Sequence, residues 1–273
     1  MPVIVFANSK GGTGKSTSAN LLATEFARMG ATVIVLDADA NQTQSTWAKK
    51  VGVYKKMAVI RSSPDKNVPD ETPENEKQAI ITITGQYVPP KMGLSDEIGM
   101  LQKQYAFVIV DLEGTAEATT SLAISLADFV VIPTKCSQLD AIQATNIIRL
   151  IQAQEREAER QGKTKRKIPY AVLFNQGNPA IRTREATSIV GDFQKGGYPI
   201  FTTHIYDRTA YRSIFSFGSA LHDLDPKDVP GLDAAKANAF EFVQEMVERL
   251  RQIGQSTVDD NNSTGSSYEA EVA

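Results

Sequence analysis

Residues 10–17 read Lys-Gly-Gly-Thr-Gly-Lys-Ser-Thr, and no other stretch of this 273-residue chain restricts its fold so strongly. The apolar run Val3-Ile4-Val5-Phe6-Ala7 precedes it, and apolar positions at helical spacing (Ala19, Leu22, Ala23, Phe26, Met29) follow. A strand that ends in a glycine-rich turn and opens a helix aims backbone N–H groups, plus the positive end of the helix dipole, at any anion in the turn. Gly11, Gly12, Thr13 and Gly14 make that turn, with glycine permitting the close approach. Lys15 can reach β- and γ-phosphates as a point charge, and the hydroxyl of Ser16, followed by Thr17, is placed to ligate magnesium. The pattern points to a bound nucleoside triphosphate.

The ordinary phosphate-loop pattern has glycine six residues before that lysine. Here Ser9 holds the position, and an extra lysine, Lys10, comes next. The doubled lysine resembles the deviant Walker A box of the ParA/MinD family of P-loop ATPases, written KGG-x-GK-[ST]. The resemblance implies ATP and Mg2+ as ligands and a homodimer that sandwiches the nucleotides. It also implies that Lys10 reaches the partner's phosphates, as an arginine finger does elsewhere.

At 41% hydrophobic, the chain can bury one sizeable core, so a single α/β domain is the default. No stretch approaches the roughly 20 apolar residues of a membrane span. The start, Met1-Pro2-Val3-Ile4, lacks the charged region of a signal peptide, so the expectation is a cytoplasmic, nucleoid-associated protein. The lone Cys136 rules out an internal disulfide and argues against an iron–sulfur carrier, leaving a small buried hydrophobe. The net charge is −3, but residues 254–273 carry Asp259, Asp260, Glu269 and Glu271 with no Lys or Arg, so the body is nearly neutral. A local basic patch is compatible with that balance.

Further along, Thr32–Leu36, Phe107–Val110, Phe129–Ile132 and Tyr170–Phe174 read as short buried strands, rich in β-branched and aromatic residues. Ala79–Thr84 and Ile200–Ile205 complete the strand set. Helices are expected around Ser95–Gln104, Ala116–Ala127, Leu139–Gln161 and Asp233–Ile253, the third projecting its charged second half into solvent. Residues 61–78, with Pro64, Pro69 and Pro73, read as a surface loop. The expected architecture is a mostly parallel twisted sheet flanked by helices, with a P-loop ATPase domain over 1–253 and a disordered acidic tail over 254–273.

Asp37-Ala38-Asp39 falls at the end of the second strand, where open parallel sheets place their ligands. Asp39 resembles the family's second D-x-D aspartate, which orients the attacking water. The family usually continues Pro-Gln, where this chain has Ala40-Asn41. Asp111, behind four apolar residues, matches a Walker B aspartate for magnesium, with Gly114 at the family's switch spacing and Glu113 between them read as solvated. Pro133 to Asp140 resembles the family's P-x-x-x-S-x-L-D segment, with Pro133 ending its strand and Asp140 in the first turn of a helix, where capping alone explains it. Asn175 resembles an asparagine that reads the adenine edge, and Asp207–Ser213 is where the family closes over the base. Trp47, His204 and His222 have no partners at metal or triad spacing and read as packing residues.

The resemblance covers about residues 1–253. With no helix-turn-helix ahead of the loop, it implies a small ParA that binds DNA without sequence preference, through basic residues that contact phosphates. Candidates are Arg182, Arg184, Arg208 and Arg212, along with Lys163, Lys165, Arg166 and Lys167, which also read as a solvated face. The implied function is a partition ATPase, slow alone and stimulated by a ParB-like protein. The alternatives are positioning of a non-DNA cargo or a conjugation apparatus and, less favoured because an acidic tail follows the last helix, a MinD-like membrane switch.

Overall fold

The structure, a computed structural model, describes residues 1–39, 41–52, 55, 57–61, 93–114, 117–162, 167–177 and 183–265, with backbone alone for Arg61, Glu117 and 256–265. The expected strand over 79–84, most of the 61–78 loop, and Arg182, Lys163, Lys165 and Arg166 lie outside these residues.

Among the described residues, seven parallel strands form one sheet: β1 (Val3–Phe6), β2 (Val33–Ala38), β3 (Met57–Arg61), β4 (Phe107–Leu112), β5 (Phe129–Lys135), β6 (Tyr170–Gly177) and β7 (Ile205–Tyr206). Their order is β3-β2-β4-β1-β5-β6-β7. From β1 the chain moves to β2 on one side, and it later reaches β5 on the other. The turn after β1 therefore lies where the winding reverses, the usual ligand crevice of an open α/β sheet.

Strand side chains alternate between two cores. Ile4, Phe6, Val33, Val35, Ile109 and Val131 pack with α1 (Lys15–Arg28), α2 (Thr43–Val51), α7 (Thr209–Phe217) and α8 (Leu232–Gly265). Val3, Val5, Ile34, Leu36, Val108 and Val130 pack with α3 (Leu94–Leu101), α4 (Glu117–Leu126), α5 (Gln138–Arg160) and α6 (Arg184–Lys195). The result is a helix–sheet–helix sandwich whose strands are buried on both faces, which explains their unbroken apolar runs. Each fully buried Leu, Ile or Phe contributes about 1.5–3 kcal/mol.

The structure corrects several expectations. Pro133 does not end its strand: it pairs with Leu173, and β5 runs on to Lys135. Ile200–Ile205 contributes only a single bridge at Ile200 and the two-residue β7. The segment 207–213 is an open loop only at its start, since α7 begins at Thr209. Residues 254–265, expected as the beginning of a disordered tail, continue α8 to Gly265. A long amphipathic helix already nucleated on the core propagates cheaply into polar sequence that lacks proline. Residues 266–273 lie outside the described residues.

Candidate functional site

The turn between β1 and α1 is braced from three strand ends. Asn8, buried at the end of β1, donates its Nδ2 to the Pro133 carbonyl at 2.7 Å and accepts the Lys10 N–H at 2.9 Å. Asn175, on β6, donates Nδ2 to the Thr13 carbonyl and to Ser18 Oγ, each at 3.0 Å. Gly14 has φ of 92°, and a Cβ there would stand 2.4 Å from Asn175 Nδ2, so only glycine fits. Gly114, just past β4, lies against the same turn: a Cβ would sit 3.1 Å from the Ser9 carbonyl oxygen. No side chain caps α1, whose N-cap is Gly14, and its first turn holds no acid. Its N-terminal N–H groups and dipole are thus left for an anion.

Lys15 is 5% exposed, and its Nζ donates to the Lys10 carbonyl at 3.1 Å. Burial lowers its pKa, opposed by the charges of Asp111, Asp39 and Glu113. Glu113, expected to be solvated, is half-buried and close enough to act on that lysine. Thr13 is fully buried and donates its hydroxyl to the Lys10 carbonyl at 3.4 Å.

Asp37 and Asp111 stand in register on adjacent strands β2 and β4, both with no exposed surface. Burial drives both carboxyls upward, Asp111 to about 7, and each is hydrogen-bonded: Asp37 by the Ser45 N–H at 2.7 Å, Asp111 by Ser16 and Gln44. Among the described residues, one Asp111 oxygen, Oδ1, has no hydrogen-bond partner. An orphaned buried carboxylate oxygen beside a serine hydroxyl and a lysine fits a hard divalent cation. Asp39 is less buried. Its Oδ1 accepts both the N–H and the Nδ2 of Asn41, at 2.8 and 2.9 Å, so the residue that departs from the family's usual Gln holds this carboxylate.

Lys10 points away from its own loop. Its Nζ is 2.8 Å from Asp140 Oδ1, with the lysine side chain 45% exposed and the aspartate side chain 4%. Asp140 begins α5 behind the N-cap Ser137, so it does more than the capping expected of it. Burial works to raise its carboxyl, but Lys10 and Ser137 outweigh it and hold the carboxyl below the usual range.

Beside the loop lies a cavity of about 290 Å³ lined by Gly14, Thr17, Asn175, Tyr206, Arg208 and Tyr211, among others. Arg208 stacks on the Tyr206 ring at 5.6 Å, and Arg212 pairs with Asp207. These two arginines thus stand at the cavity, apart from Arg184, which borders a shallow groove with Thr187, Ser188 and Lys195. The sequence reading missed Asn8, Gln44 and the burial of Asp37. Asn8 gains its role from a partner on β5, Gln44 from the docking of α2, and Asp37 its burial from pairing with β4, so nothing in their local spacing marks them.

Among the described residues no helix is long and apolar enough to cross a membrane. The model of the ATPase MipZ family matches residues 2–253. Protein ParA of Rhizobium radiobacter is 36% identical over 254 residues, which is 92% of this chain and 100% of that protein. The chromosome partitioning protein ParA of Caulobacter vibrioides is 26% identical over 165 residues, 55% of this chain and 62% of that one. Among solved structures, an ATP complex of Cyanothece McdA superposes with a TM-score of 0.61 at 16% identity, covering 91% of this chain and 96% of the other. A plasmid partition protein of Borrelia burgdorferi bound to AMPPNP gives 0.59 at 16% identity, covering 89% and 99%. At such identities the structures speak for the fold alone, which is that of P-loop ATPases. With the family model running from the first strand through most of the last helix, and a relative aligned along its whole length, the chain belongs to the ParA/MinD family of P-loop ATPases, among the ParA-type partition members.

Proposed function

We propose that this chain is an ATP-driven DNA-positioning switch. ATP binds at Gly11–Thr17, two copies close around their nucleotides, the pair holds duplex DNA by its phosphates, and hydrolysis releases it. The reading is supported most by Lys10: it is half-exposed, directed out of its own phosphate loop, and held by a single carboxylate from which a second copy's phosphates can draw it. Lys15, buried in the loop, is the residue for the chain's own phosphates.

Magnesium would be held by Ser16 and Asp111, and when bound it would neutralise charge building on the phosphate oxygens. Asp39 holds and orients the attacking water, and its placement depends on Asn41. The cavity beside Thr17 takes the base, with Asn175 at its edge. DNA phosphates meet the groove at Arg184 and Lys195, with Arg182 nearby in sequence. The Borrelia and Cyanothece structures, bound to AMPPNP and ATP, agree with the choice of nucleotide. A ParB-like partner sets the rate of turnover, and the work done is segregation or positioning of plasmid or chromosomal DNA.

The test is Lys10→Ala, compared with the native chain by nucleotide binding, light scattering with a slowly hydrolysed ATP analogue, and phosphate release. The variant should keep nucleotide affinity and lose both pairing and turnover. Turnover or pairing at the native level refutes the cross-dimer role. The native chain with the analogue should bind unrelated duplexes equally, with affinity falling steeply as salt rises, and Arg184→Ala should lessen that salt slope by about one. Binding to anionic vesicles in place of duplex would refute the DNA reading.

A further inference from the structure

Gln44 lies in the first turn of α2 with no exposed surface, and both ends of its amide are engaged. Its Nε2 donates to the Ser16 carbonyl at 2.7 Å and to Asp111 Oδ2 at 3.1 Å, while its Oε1 accepts Asn20 Nδ2 at 3.2 Å. Asn20 and Ser16 are on α1 and Asp111 is on β4, so one side chain ties three elements together. The arrangement is directional. A carboxylate only accepts and the Asn20 amide group here donates, so Gln44 satisfies both only with its NH2 towards Asp111 and its carbonyl towards Asn20. With Oδ2 occupied, the partnerless Oδ1 is the oxygen left to a ligand.

We propose that Gln44, oriented by Asn20, is a positioning residue for the divalent cation. It fixes the Asp111 carboxylate through Oδ2 and the Ser16 peptide through its carbonyl, so that Oδ1 and the Ser16 hydroxyl converge on one ion. The inference rests on the assignment of Ser16 and Asp111 to magnesium. It also makes cation affinity a property of how α2 is docked. That helix is anchored at its middle by the Trp47 indole N–H, which donates to the Ser219 carbonyl at 3.0 Å. Outer partners of this kind typically change metal affinity by about 10- to 100-fold when removed.

Gln44→Met keeps the length and bulk of the side chain and removes all three hydrogen bonds. Calorimetry on the full chain measures ADP affinity in EDTA and then the Mg2+ concentration that half-saturates the ADP-bound protein. The variant should bind ADP in EDTA within about twofold of the native chain and need about 10- to 100-fold more Mg2+. A Mg2+ requirement within about threefold of native overturns the proposal, and so does an equal loss of ADP affinity with and without Mg2+, which marks general damage. A native chain indifferent to Mg2+ overturns the magnesium assignment itself and this inference with it. If Gln44→Met does not fold, Asn20→Ala leaves Gln44 in place but frees its orientation. That variant must raise the Mg2+ requirement in the same direction, and no rise overturns the proposal.

Discussion

Replacing Asp111 with asparagine keeps the shape of the site and removes a charge that the ligand-free fold holds under strain. Burial is the main cause of its rise from 3.8 to about 7; Asp37 across the β2–β4 pairing adds to it, while Ser16, Gln44 and Lys15 oppose it. Between those two values the folded chain keeps a proton that the unfolded chain has released. Stability without ligand is therefore undiminished below about pH 4, falls as pH rises towards 7, and stays at the lower level above. At about 1.4 kcal/mol per unit, a rise of about three units amounts to roughly 4 kcal/mol. Because the group is fully buried, solvent screening does not reduce that figure. The substituted amide has no such titration, but its NH2 has no acceptor where Oδ1 stood, a loss of about 1–3 kcal/mol at every pH. Urea unfolding in EDTA should find Asp111→Asn no more stable than the native chain near pH 5. The difference should shift by about 3 kcal/mol in the variant's favour by pH 8. With nucleotide already saturating in EDTA, excess Mg2+ should add markedly more stability to the native chain than to the variant. Parallel pH profiles for the two proteins would refute the account of Asp111 as a strained, cation-seeking carboxylate.

Gly14→Ala forces a side chain into left-handed backbone and onto Asn175, adding about 1–2 kcal/mol of backbone strain to the disruption of two buried hydrogen bonds worth about 1 kcal/mol each. Urea unfolding should show a loss of about 2–4 kcal/mol, smaller in an Asn175→Ala background, and additive losses would show that the two residues do not collide. Asp140→Asn leaves Lys10 without its counter-charge and weakens the start of α5 by roughly 1 kcal/mol at neutral pH. Because the Asp140 carboxyl is held below its usual range, that stability is present above the ordinary carboxylate pKa and lost as pH falls through the folded value. The gap between variant and native chain should accordingly narrow as pH falls below the ordinary carboxylate range, and a gap that widens there instead would disprove the pairing.

The central strands were legible because burial on both faces leaves unbroken apolar runs: β1, β2, β4, β5 and β6 are buried along nearly their whole lengths. The loop was legible from its glycine and lysine spacing alone. The longer helices were also legible, but α2, α6 and β7 were not. In Thr43–Val51 only Gln44, Trp47 and Ala48 are buried, and in Arg184–Lys195 only Ile189 and Phe193, too few for a helical period to stand out. The two-residue β7 is shorter than any pattern can mark. Asp37 looked like Asp39 in sequence, two acids at a strand end. Pairing with β4 buries the first against Asp111, while the second stays near the surface beside Asn41. Gln44 carried no signal at all, since its meaning comes from Ser16, Asn20 and Asp111, which lie 28, 24 and 67 positions away.

Asn8, Asn175 and Gly114 clamp the phosphate turn onto the ends of β5, β6 and β4 before any ligand arrives. A receptor cast in advance loses little freedom when it fills, so the binding energy of the incoming anion goes into other work. Timing must then reside outside the rigid cradle, in the half-exposed lysine parked on α5 and in the docking of the helix that carries Gln44. Such a machine keeps its grip constant and its trigger adjustable. Substitutions along α2 would thus retune the hold on the cation without reshaping the cradle itself.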